Sequence, residues 1–499
     1  MADDNRVPRI LSLDAGTSSV RCLAVTALGD VTAIARREFA QHYPEPGWVE
    51  HDATEIYDRI VETIAEVLEQ PGVERSAITA IGITNQRETI VAWDRSTGEP
   101  LHRAIVWQDR RTAARCRELS DAGHSGEIRR ITGLVTDPYF SGTKIEWLLR
   151  QGGIAVDDNL AFGTIDSWLT YKLSGGAAHV TDASNASRYL LYDLHSGTWS
   201  DTMLDMLGVP ARTLPEIVDS SGTLATCDPD SAAGLSVPVA GLAGDQQSAL
   251  FGQACHEPGM TKNTYGTGSF VLINAGADVP AASETVLSTV AWRLGGKQTF
   301  ALEGSIFVTG AAIKWLRDRL GMIQAAEETG PLAESVADTG GVVVVPAFAG
   351  LGAPYWDPAA RAAVFGLGRG HEKAHIVRAV VEAMAYQTRD VVDAMADILG
   401  RPPTELRADG GASVMDFLCK FQADQLGINV VRPTNSETTA MGAAYLAGLA
   451  TGIWGSLGEI GTCWKERDRF APAGDRSAAD TAYAQWAEAV RRVQAYEVG

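Results

Sequence analysis

The spacing of apolar residues predicts short strands and longer helices that alternate along most of the chain. Near the N-terminus, four apolar or alternating runs predict strands; they cover 8–13, 20–26, 31–36 and 78–84. Gly29 and Asp30 supply a hairpin turn before the third of these strands. Residues 53–69 have helical spacing, and Asp52 precedes them as a candidate N-cap. This order of elements predicts a mixed β-sheet covered by helices.

A similar succession returns in the second half of the chain. Apolar runs predict strands at 237–243, within 262–273 and at 342–345, and helical spacing recurs at 377–399 and 416–426. In each half, a strand leads into a turn made of glycine and hydroxyl residues. We therefore predict a duplicated core with a cleft between its two copies.

Length and charge narrow the classes of protein that fit. A chain of 499 residues is longer than one hydrophobic core ordinarily organises, so we expect two or more domains. Apolar residues make up 45% of it and charged residues 21%, which is the balance of a globular protein. The formal net charge of −20 repels nucleic acid and anionic membranes, so a polyphosphate ligand needs local cations or a metal.

The cysteines and the N-terminus favour a cytoplasmic location. The six cysteines are scattered without a CxxC pair, so reduced, buried thiols are favoured over disulfides or a zinc site. Residues 1–9 are polar and lead straight into the first predicted strand, so we expect no signal peptide. No apolar run approaches the roughly 20 residues that span a bilayer, so we expect no membrane insertion.

Three glycine-rich loops are candidates for binding phosphate or nucleotide; they cover 14–19, 264–269 and 409–413. Glycine lets backbone N–H groups approach a phosphate, hydroxyls add donors, and Asp14 can hold Mg²⁺ through water. Arg21 would be an inward-facing cation in the second strand. Ordinary turns have the same composition, so each loop alone is better explained as a turn, and only the three together indicate a nucleotide. None fits a P-loop or a GxGxxG fingerprint.

A second group of residues suits a small polar substrate. Arg87 and Glu88 place a cation and a carboxylate side by side, although an ion pair between them is the simpler interpretation. Trp107, Tyr139 and Phe270 have side chains that can wall a carbon chain, but most aromatic residues belong to the core.

Asp245 is the sharpest single candidate. It ends an apolar strand, where a carboxylate is costly to bury unless it is used or paired. The alternative is an N-cap for the helix predicted at 246–252, and local chemistry does not choose between the two.

Taken together in chain order, these motifs resemble the FGGY family of carbohydrate kinases, and within it the branch that phosphorylates glycerol. The resemblance runs from Asp14 to about Trp454. Its most specific segments are TNQRET at 84–89, WQDRRT at 107–112, GLVTDPYFSGTK at 133–144, GDQQ at 244–247, NTYGTG at 263–268 and GLGAPYW at 350–356.

The resemblance implies an α/β fold of two actin-like (ribonuclease H-like) domains, each a mixed β-sheet flanked by helices, with a cleft between them. The expected boundaries are 1–250 for the polyol and phosphate site and 251–499 for the nucleotide site. The implied reaction is phosphorylation of glycerol to sn-glycerol 3-phosphate by ATP with Mg²⁺. The implied assembly is a homodimer or homotetramer, with no nucleic acid partner.

The resemblance also implies roles for individual residues. Asp245 would be the general base. The glycerol site would contain Arg87, Glu88, Trp107, Tyr139, Asp245, Gln246 and Phe270. The nucleotide would contact Thr17, Ser18, Ser19, Arg21, Thr267, Gly310, Lys314, Gly411 and Met415, with Asp14 positioning Mg²⁺.

The chain departs from the family pattern at a few positions. Ala15 stands where glycerol-phosphorylating members usually have Gln, and Ser18 replaces a Thr. Lys314 and Met415 replace a frequent Gln and a usual Asn near the nucleotide, which bears on base preference. Ser236 stands where some bacterial relatives have the arginine that binds fructose 1,6-bisphosphate, which argues against that regulation.

Two alternatives remain at the level of sequence. One is a kinase for another polyol or a ketose, such as erythritol or xylulose; the Arg87-Glu88 pair and Trp107 favour glycerol. The other is an actin-like nucleotide-binding or assembly protein without small-molecule turnover. A polyol pocket around Asp245 argues against the second, because a nucleotide switch needs none.

Overall fold

The computed structural model describes residues 8–496. The expectation for the N-terminal segment therefore lies outside the described residues, except at Pro8 and Arg9. Within the described part, no helix is long and apolar enough to cross a membrane.

The regular elements alternate along the chain. The strands are β1 (Arg9–Ala15), β2 (Ser19–Thr26), β3 (Val31–Glu38), β4 (Gln41–His42), β5 (Glu50–His51), β6 (Ile78–Asn85), β7 (Ile90–Asp94), β8 (Glu99–Pro100), β9 (Ala104–Ile105), β10 (Leu160–Thr164), β11 (Val180–Asp182), β12 (Tyr192–Asp193), β13 (Thr198–Trp199), β14 (Glu216–Val218), β15 (Ser221–Thr226), β16 (Pro238–Gly244), β17 (Met260–Tyr265), β18 (Ser269–Gly276), β19 (Leu287–Leu294), β20 (Lys297–Ile306), β21 (Val343–Val345), β22 (Ala363–Phe365), β23 (Glu405–Gly410), β24 (Val430–Pro433) and β25 (Glu466–Phe470). The helices are α1 (Ala53–Glu69), α2 (Ala113–Asp121), α3 (Ser125–Thr132), α4 (Ser141–Arg150), α5 (Ile165–Leu173), α6 (Ala183–Ala186), α7 (Asp201–Leu207), α8 (Asp245–Gly252), α9 (Gly310–Asp318), α10 (Thr329–Glu334), α11 (Lys373–Leu399), α12 (Asp416–Leu426), α13 (Thr438–Thr451), α14 (Leu457–Cys463) and α15 (Ser477–Gln494).

The first large sheet has the strand order β3-β2-β1-β6-β16-β15. β1, β2 and β3 form consecutive antiparallel pairs, whereas β6 is parallel to both β1 and β16. Helix α1 covers one face of it, with Ile56, Ile60 and Ile64 in the same hydrophobic cluster as Leu11. Asp52 caps α1 by accepting hydrogen bonds from two backbone N–H groups, as predicted.

The second large sheet repeats this arrangement in the C-terminal half, in the order β19-β20-β18-β17-β23-β24-β25. β17, β18 and β20 are antiparallel in succession, and β23 is parallel to β17 and β24. The order β20-β18-β17-β23-β24 thus matches β3-β2-β1-β6-β16. The predicted duplicated core, with two mixed sheets flanked by helices, is confirmed.

A smaller sheet lies beside the first, and its strand β9 leads into the segment that contains Trp107. Its strand order is β10-β7-β9-β5-β4, with β8 paired to β7. β9 ends at Ile105, opposite Ile90 of β7, so the segment that follows it returns to the loop after β6.

Helix α13 comes from the C-terminal half but packs on the face of the first sheet opposite α1. The backbones approach so closely that a Cβ on Gly82 would lie 2.2 Å from the carbonyl oxygen of Ala443. A Cβ on Gly442 would lie 1.9 Å from the carbonyl oxygen of Ser248 in α8. The two halves of the chain therefore share this helix as part of one hydrophobic interface.

Candidate active site

Arg87 lies at the centre of a buried polar cluster immediately after β6. Its guanidinium forms two hydrogen bonds with the carboxylate of Glu303, one of them 2.9 Å long. Its other contacts are the hydroxyl of Tyr139 at 3.2 Å, the side-chain oxygen of Gln247 at 3.2 Å and the carboxylate of Asp245 at 3.2 Å. All the donor groups of this side chain thus face acceptors, so its orientation is fixed before any ligand binds.

Glu88 is held mainly by Arg188 and only weakly by its sequence neighbour. The Arg188 Nε donates to the Glu88 carboxylate at 2.6 Å, whereas the nearest Arg87 nitrogen is 3.8 Å away. Glu88 also has φ of +61°, a left-handed conformation that costs energy for a residue with a side chain. The simple Arg87–Glu88 ion pair is therefore replaced by two separate pairs.

Glu303, which belongs to the C-terminal half, pairs with both of these arginines of the N-terminal half. Arg188 donates to it at 3.1 Å, in addition to the bonds from Arg87. Burial favours the neutral acid, but the guanidinium groups of Arg188 and Arg87 outweigh it and hold the pKa of Glu303 at about 2. Burial dominates for Glu88, whose pKa is raised despite both arginines.

The sequence predictions missed Arg188 and Glu303. A glutamate within the apolar run of β20 is a recognisable signal, because an unpaired charge is rarely buried in a strand. Arg188 has no comparable local signal.

Asp245 is the first residue of α8, and Gly244 occupies the N-cap position. Its carboxylate accepts a hydrogen bond of 2.7 Å from the Gln246 N–H and also contacts Arg87. The Asp245 side chain is 29% exposed, compared with 2% for Arg87. Solvent therefore reaches the Asp245 carboxylate. Burial raises its pKa, while Arg87 and Lys262 oppose the rise. The residue is thus a paired, accessible carboxylate rather than the N-cap.

Gln246 is oriented by a buried lysine that the sequence predictions also missed. Lys262 of β17 donates from Nζ to the Gln246 side-chain oxygen and, at 3.1 Å, to the Thr264 hydroxyl. Burial lowers the pKa of Lys262 to about 8. An ionisable cation therefore stands between the Asp245 segment and the second glycine-rich loop.

The three predicted aromatic residues come from different segments and make different contacts. The rings of Trp107 and Tyr139 meet edge to face at 5.6 Å. The Trp107 indole N–H donates to the Thr17 hydroxyl at 3.0 Å, which ties this wall to the first glycine-rich loop. Phe270 is on β18, on the same sheet face as Glu303, and packs against the interface between the halves.

The first glycine-rich loop lines a cavity of 220 Å³. Its lining residues are Asp14, Gly16, Thr17, Ser18, Ser19, Arg21 and Arg36. Arg21 is paired with the carboxylates of both Asp14 and Glu437, and Glu437 precedes α13. The predicted residues of this loop thus line one cavity together, and two carboxylates hold Arg21 there.

A second cavity, of 640 Å³, contains the predicted residues of the C-terminal half. Thr267, Gly310, Lys314, Gly411 and Met415 all line it. The loop of Thr267 is fixed to the start of α9, because its carbonyl oxygen accepts a hydrogen bond of 2.9 Å from the N–H of Ala311. Met415 is 9% exposed and packs into the core of this half, so its contact surface at the cavity is apolar.

The arrangement has the chemical parts of a group-transfer site. An accessible carboxylate stands among fixed donors and acceptors, as binding of vicinal hydroxyls requires. Two glycine-rich loops, one from each half, offer backbone and hydroxyl donors for phosphates. Within residues 8–496, no three His, Cys, Asp or Glu side chains are grouped so as to hold a metal by themselves.

Comparison with known proteins gives a consistent result across the chain. Residues 9–252 match the N-terminal domain, and residues 261–451 the C-terminal domain, of the FGGY family of carbohydrate kinases. Glycerol kinase from Dechloromonas aromatica is 53% identical over 487 residues, 97% of each chain. Glycerol kinase from Halorhodospira halophila is 52% identical over 493 residues, 98% of this chain and 97% of that one. The crystal structure of Plasmodium falciparum glycerol kinase with ADP is 34% identical, with a TM-score of 0.92 over 98% of both chains.

Proposed function

Because the chain belongs to the FGGY family of carbohydrate kinases, we propose that it transfers the terminal phosphoryl group of ATP to glycerol, giving sn-glycerol 3-phosphate and ADP. The observation that carries this proposal is the accessible Asp245 carboxylate beside the fixed guanidinium of Arg87, 3.2 Å away. Sequence identity of 53% and 52% to two glycerol kinases over nearly the whole chain supports glycerol as the acceptor.

In this proposal Asp245 accepts the proton of the attacking hydroxyl. Its 29% exposure lets a substrate reach it, and although burial raises its pKa, its pairing with Arg87 favours the ionised form. A positioned general base contributes typically ~10²–10⁴-fold to the rate. The phosphoryl transfer itself depends mainly on alignment and neutralisation of charge.

The remaining polar residues bind and orient glycerol. Gln246 donates to its hydroxyls, Arg87 shares one of its N–H groups between a hydroxyl and a present acceptor, and the Glu88 carboxylate accepts from one of the hydroxyls. The rings of Trp107 and Phe270 exclude water from its carbon chain, while Tyr139 supplies one further hydroxyl. Their partners Glu303, Arg188 and Lys262 fix these groups before glycerol arrives, so little conformational entropy is lost on binding.

ATP lies in the two cavities. Thr17, Ser18, Ser19 and Arg21 surround its terminal phosphates from one half, with Thr267 and Gly310 on the other. The cavity bounded by Lys314, Gly411 and Met415 takes the adenosine. Apolar packing by Met415 in place of an amide implies weaker discrimination between adenine and guanine than an Asn at this position would give.

The first loop also fits Mg²⁺. Asp14 and the neighbouring hydroxyls present hard oxygen ligands in the 220 Å³ cavity, and Mg²⁺ is commonly held by one carboxylate, water and nucleotide phosphates. When bound, Mg²⁺ neutralises phosphate charge. Arg21 orients the Asp14 carboxylate toward this position.

A panel of acceptors tests the proposal, with ADP release as the readout. We expect kcat/KM for glycerol to exceed that for erythritol and for xylulose, with little ADP formed from ATP alone. A higher kcat/KM for a tetritol or a pentulose would assign another substrate. Equal ADP formation with and without glycerol would instead favour a nucleotide switch.

We also propose a cytoplasmic enzyme that forms a homodimer or homotetramer. The cytoplasm supplies ATP, and the cysteines of the chain are unpaired, five of them buried, as suits a reducing compartment. Light scattering at several protein concentrations determines the assembly.

A further inference from the structure

A second arginine lines the phosphate cavity and has no role in the proposed mechanism. Arg36 lies on β3, directly opposite Arg21 of β2. Arg21 in turn is opposite Asp14, and Asp14 is opposite Thr84 of β6. Side chains of directly opposed residues share one face of a sheet, so Arg36 ends a row of polar side chains that runs across the cleft face.

The burial pattern of β3 supports this direction. Ala33 and Ala35 are buried in the cluster that contains α1, whereas Arg36 alternates with them and points to the other face. That is the face on which α13 packs, and Glu437 immediately precedes α13. Arg36 and the Arg21–Glu437 pair therefore lie on one side of the sheet.

Without Arg36, the paired charged groups around this cavity carry a net negative charge. Arg21 carries one positive charge and is paired with two carboxylates, those of Asp14 and Glu437. These three groups sum to one negative charge, which repels a polyphosphate. Arg36 opposes this negative charge, and its ion pair with Glu38 is longer than either ion pair of Arg21.

Arg36 is free to turn toward a ligand. Its nearest carboxylate is Glu38 at 3.6 Å, and both side chains are exposed, at 58% and 80%. Such a pair contributes little and breaks readily. Arg37, the next residue, is instead committed to Glu62 and Glu66 of α1.

We propose that Arg36 binds the terminal phosphates of the nucleotide and so favours ATP over nucleotides with fewer phosphates. This rests on the proposed function for the identity of the ligand. Because the side chain is half exposed, it acts as a mobile cation at the rim of the site, and its contribution is screened by salt.

Isothermal titration of the full-length protein with ATP, ADP and AMP tests the inference, comparing Arg36→Gln with Arg37→Gln. Both variants remove one positive charge from the same strand, but only Arg36 lines the cavity. We expect Arg36→Gln to raise the Kd for ATP about 5-fold, to raise that for ADP less and to leave AMP unchanged. The effect on ATP should shrink at 0.5 M salt, and Arg37→Gln should bind all three nucleotides like the wild type.

Three results would overturn the inference: unchanged ATP binding in Arg36→Gln, an equal loss for AMP, or the same loss in Arg37→Gln. The titration does not depend on turnover. Wild-type protein that binds ATP but does not phosphorylate glycerol would therefore contradict the proposed function and leave the test of Arg36 intact.

Discussion

At the scale of single residues, the candidate site is a set of carboxylates that differ in burial and in partners. Glu303 is fully enclosed by two guanidinium groups, whereas Asp245 shares one of them and keeps contact with solvent. The enclosed carboxylate is fixed in its ionised form and can only orient Arg87 and Arg188. The accessible one can exchange a proton with a substrate.

The first prediction concerns the base. Asp245→Asn keeps the size of the side chain and its hydrogen bond to the Gln246 N–H but removes the proton acceptor. We expect KM for glycerol to stay within a few-fold of the wild type while kcat falls by about 10²–10⁴. Steady-state kinetics with coupled ADP detection measures both constants. Wild-type turnover in this variant would remove Asp245 from the base role.

The second prediction concerns pH. Because burial raises the pKa of Asp245, the acid limb of kcat/KM should lie at higher pH than an ordinary aspartate gives. Activity requires the ionised form, so it is lost as pH falls through that raised pKa. Lys262 opposes the rise, so Lys262→Met should move the limb to still higher pH.

Lys262→Arg is the matched control, because it keeps the charge beside Gln246. Its acid limb should stay close to that of the wild type. A limb that fails to move in Lys262→Met, or moves equally in both variants, would show that this cation does not act on the base.

The residue-level predictions from sequence were limited by long-range partners. Asp245 stands out locally because it ends an apolar strand, but the same position suits a helix cap, and only the resemblance to a family favoured the base. Arg188 and Glu303 are separated from Glu88 and Arg87 by 100 and 216 positions. No local pattern specifies such pairs, since they depend on how the two halves meet.

At the scale of elements, sequence was most informative where a helix has one apolar face and a clear boundary. α1 and α12 occupy the predicted residues 53–69 and 416–426. α11 begins four residues before the predicted 377, at Lys373, where Glu372 provides a cap that apolar spacing does not reveal. The short strands β4, β5 and β9 have two residues each, too few for any periodicity to show.

The third prediction concerns the packing of α8 against α13. Gly442→Ala would place a Cβ 1.9 Å from the Ser248 carbonyl oxygen, so the two helices must separate. We expect the free energy of unfolding to fall by about 1–3 kcal/mol, as for overpacked cores, with a lower kcat because α8 begins at Asp245. Denaturant titration and steady-state kinetics measure the two effects.

Gly461→Ala provides the control within a helix. A Cβ at Gly461 in α14 meets no atom within 4 Å, so the greater helix propensity of alanine should leave stability unchanged or raise it by up to about 1 kcal/mol. If Gly442→Ala were as stable and as active as this control, the close approach of α8 and α13 would matter neither for stability nor for turnover.

At the scale of the whole molecule, two copies of one sheet architecture are joined through α13. The repeated strand order was predictable because both halves carry the same succession of strands and glycine-rich turns. The packing of α13, a helix of the C-terminal half, on the first sheet was not predictable, since the apolar residues of α13 resemble those of any buried helix.

The fourth prediction follows from the packing of α13 on the first sheet. A fragment of residues 1–252 lacks α13, so Ile10, Leu23 and Val25 on the sheet face beneath it lose their cover. We expect this fragment alone to bind a hydrophobic dye and to unfold without a cooperative transition. Co-expression with residues 253–499 should suppress dye binding and restore a cooperative transition. A monomeric 1–252 fragment with a cooperative thermal transition would contradict this.

The position of α13 also has a consequence for synthesis on the ribosome. The first large sheet is complete once β16 has emerged at Gly244, but α13 begins only at Thr438. At ribosomal speeds of about 5–20 residues per second, the intervening segment of roughly 190 residues takes on the order of 10–40 s. Throughout that interval the nascent N-terminal half presents an apolar sheet face, a binding surface for chaperones that is covered once α13 emerges and packs on it.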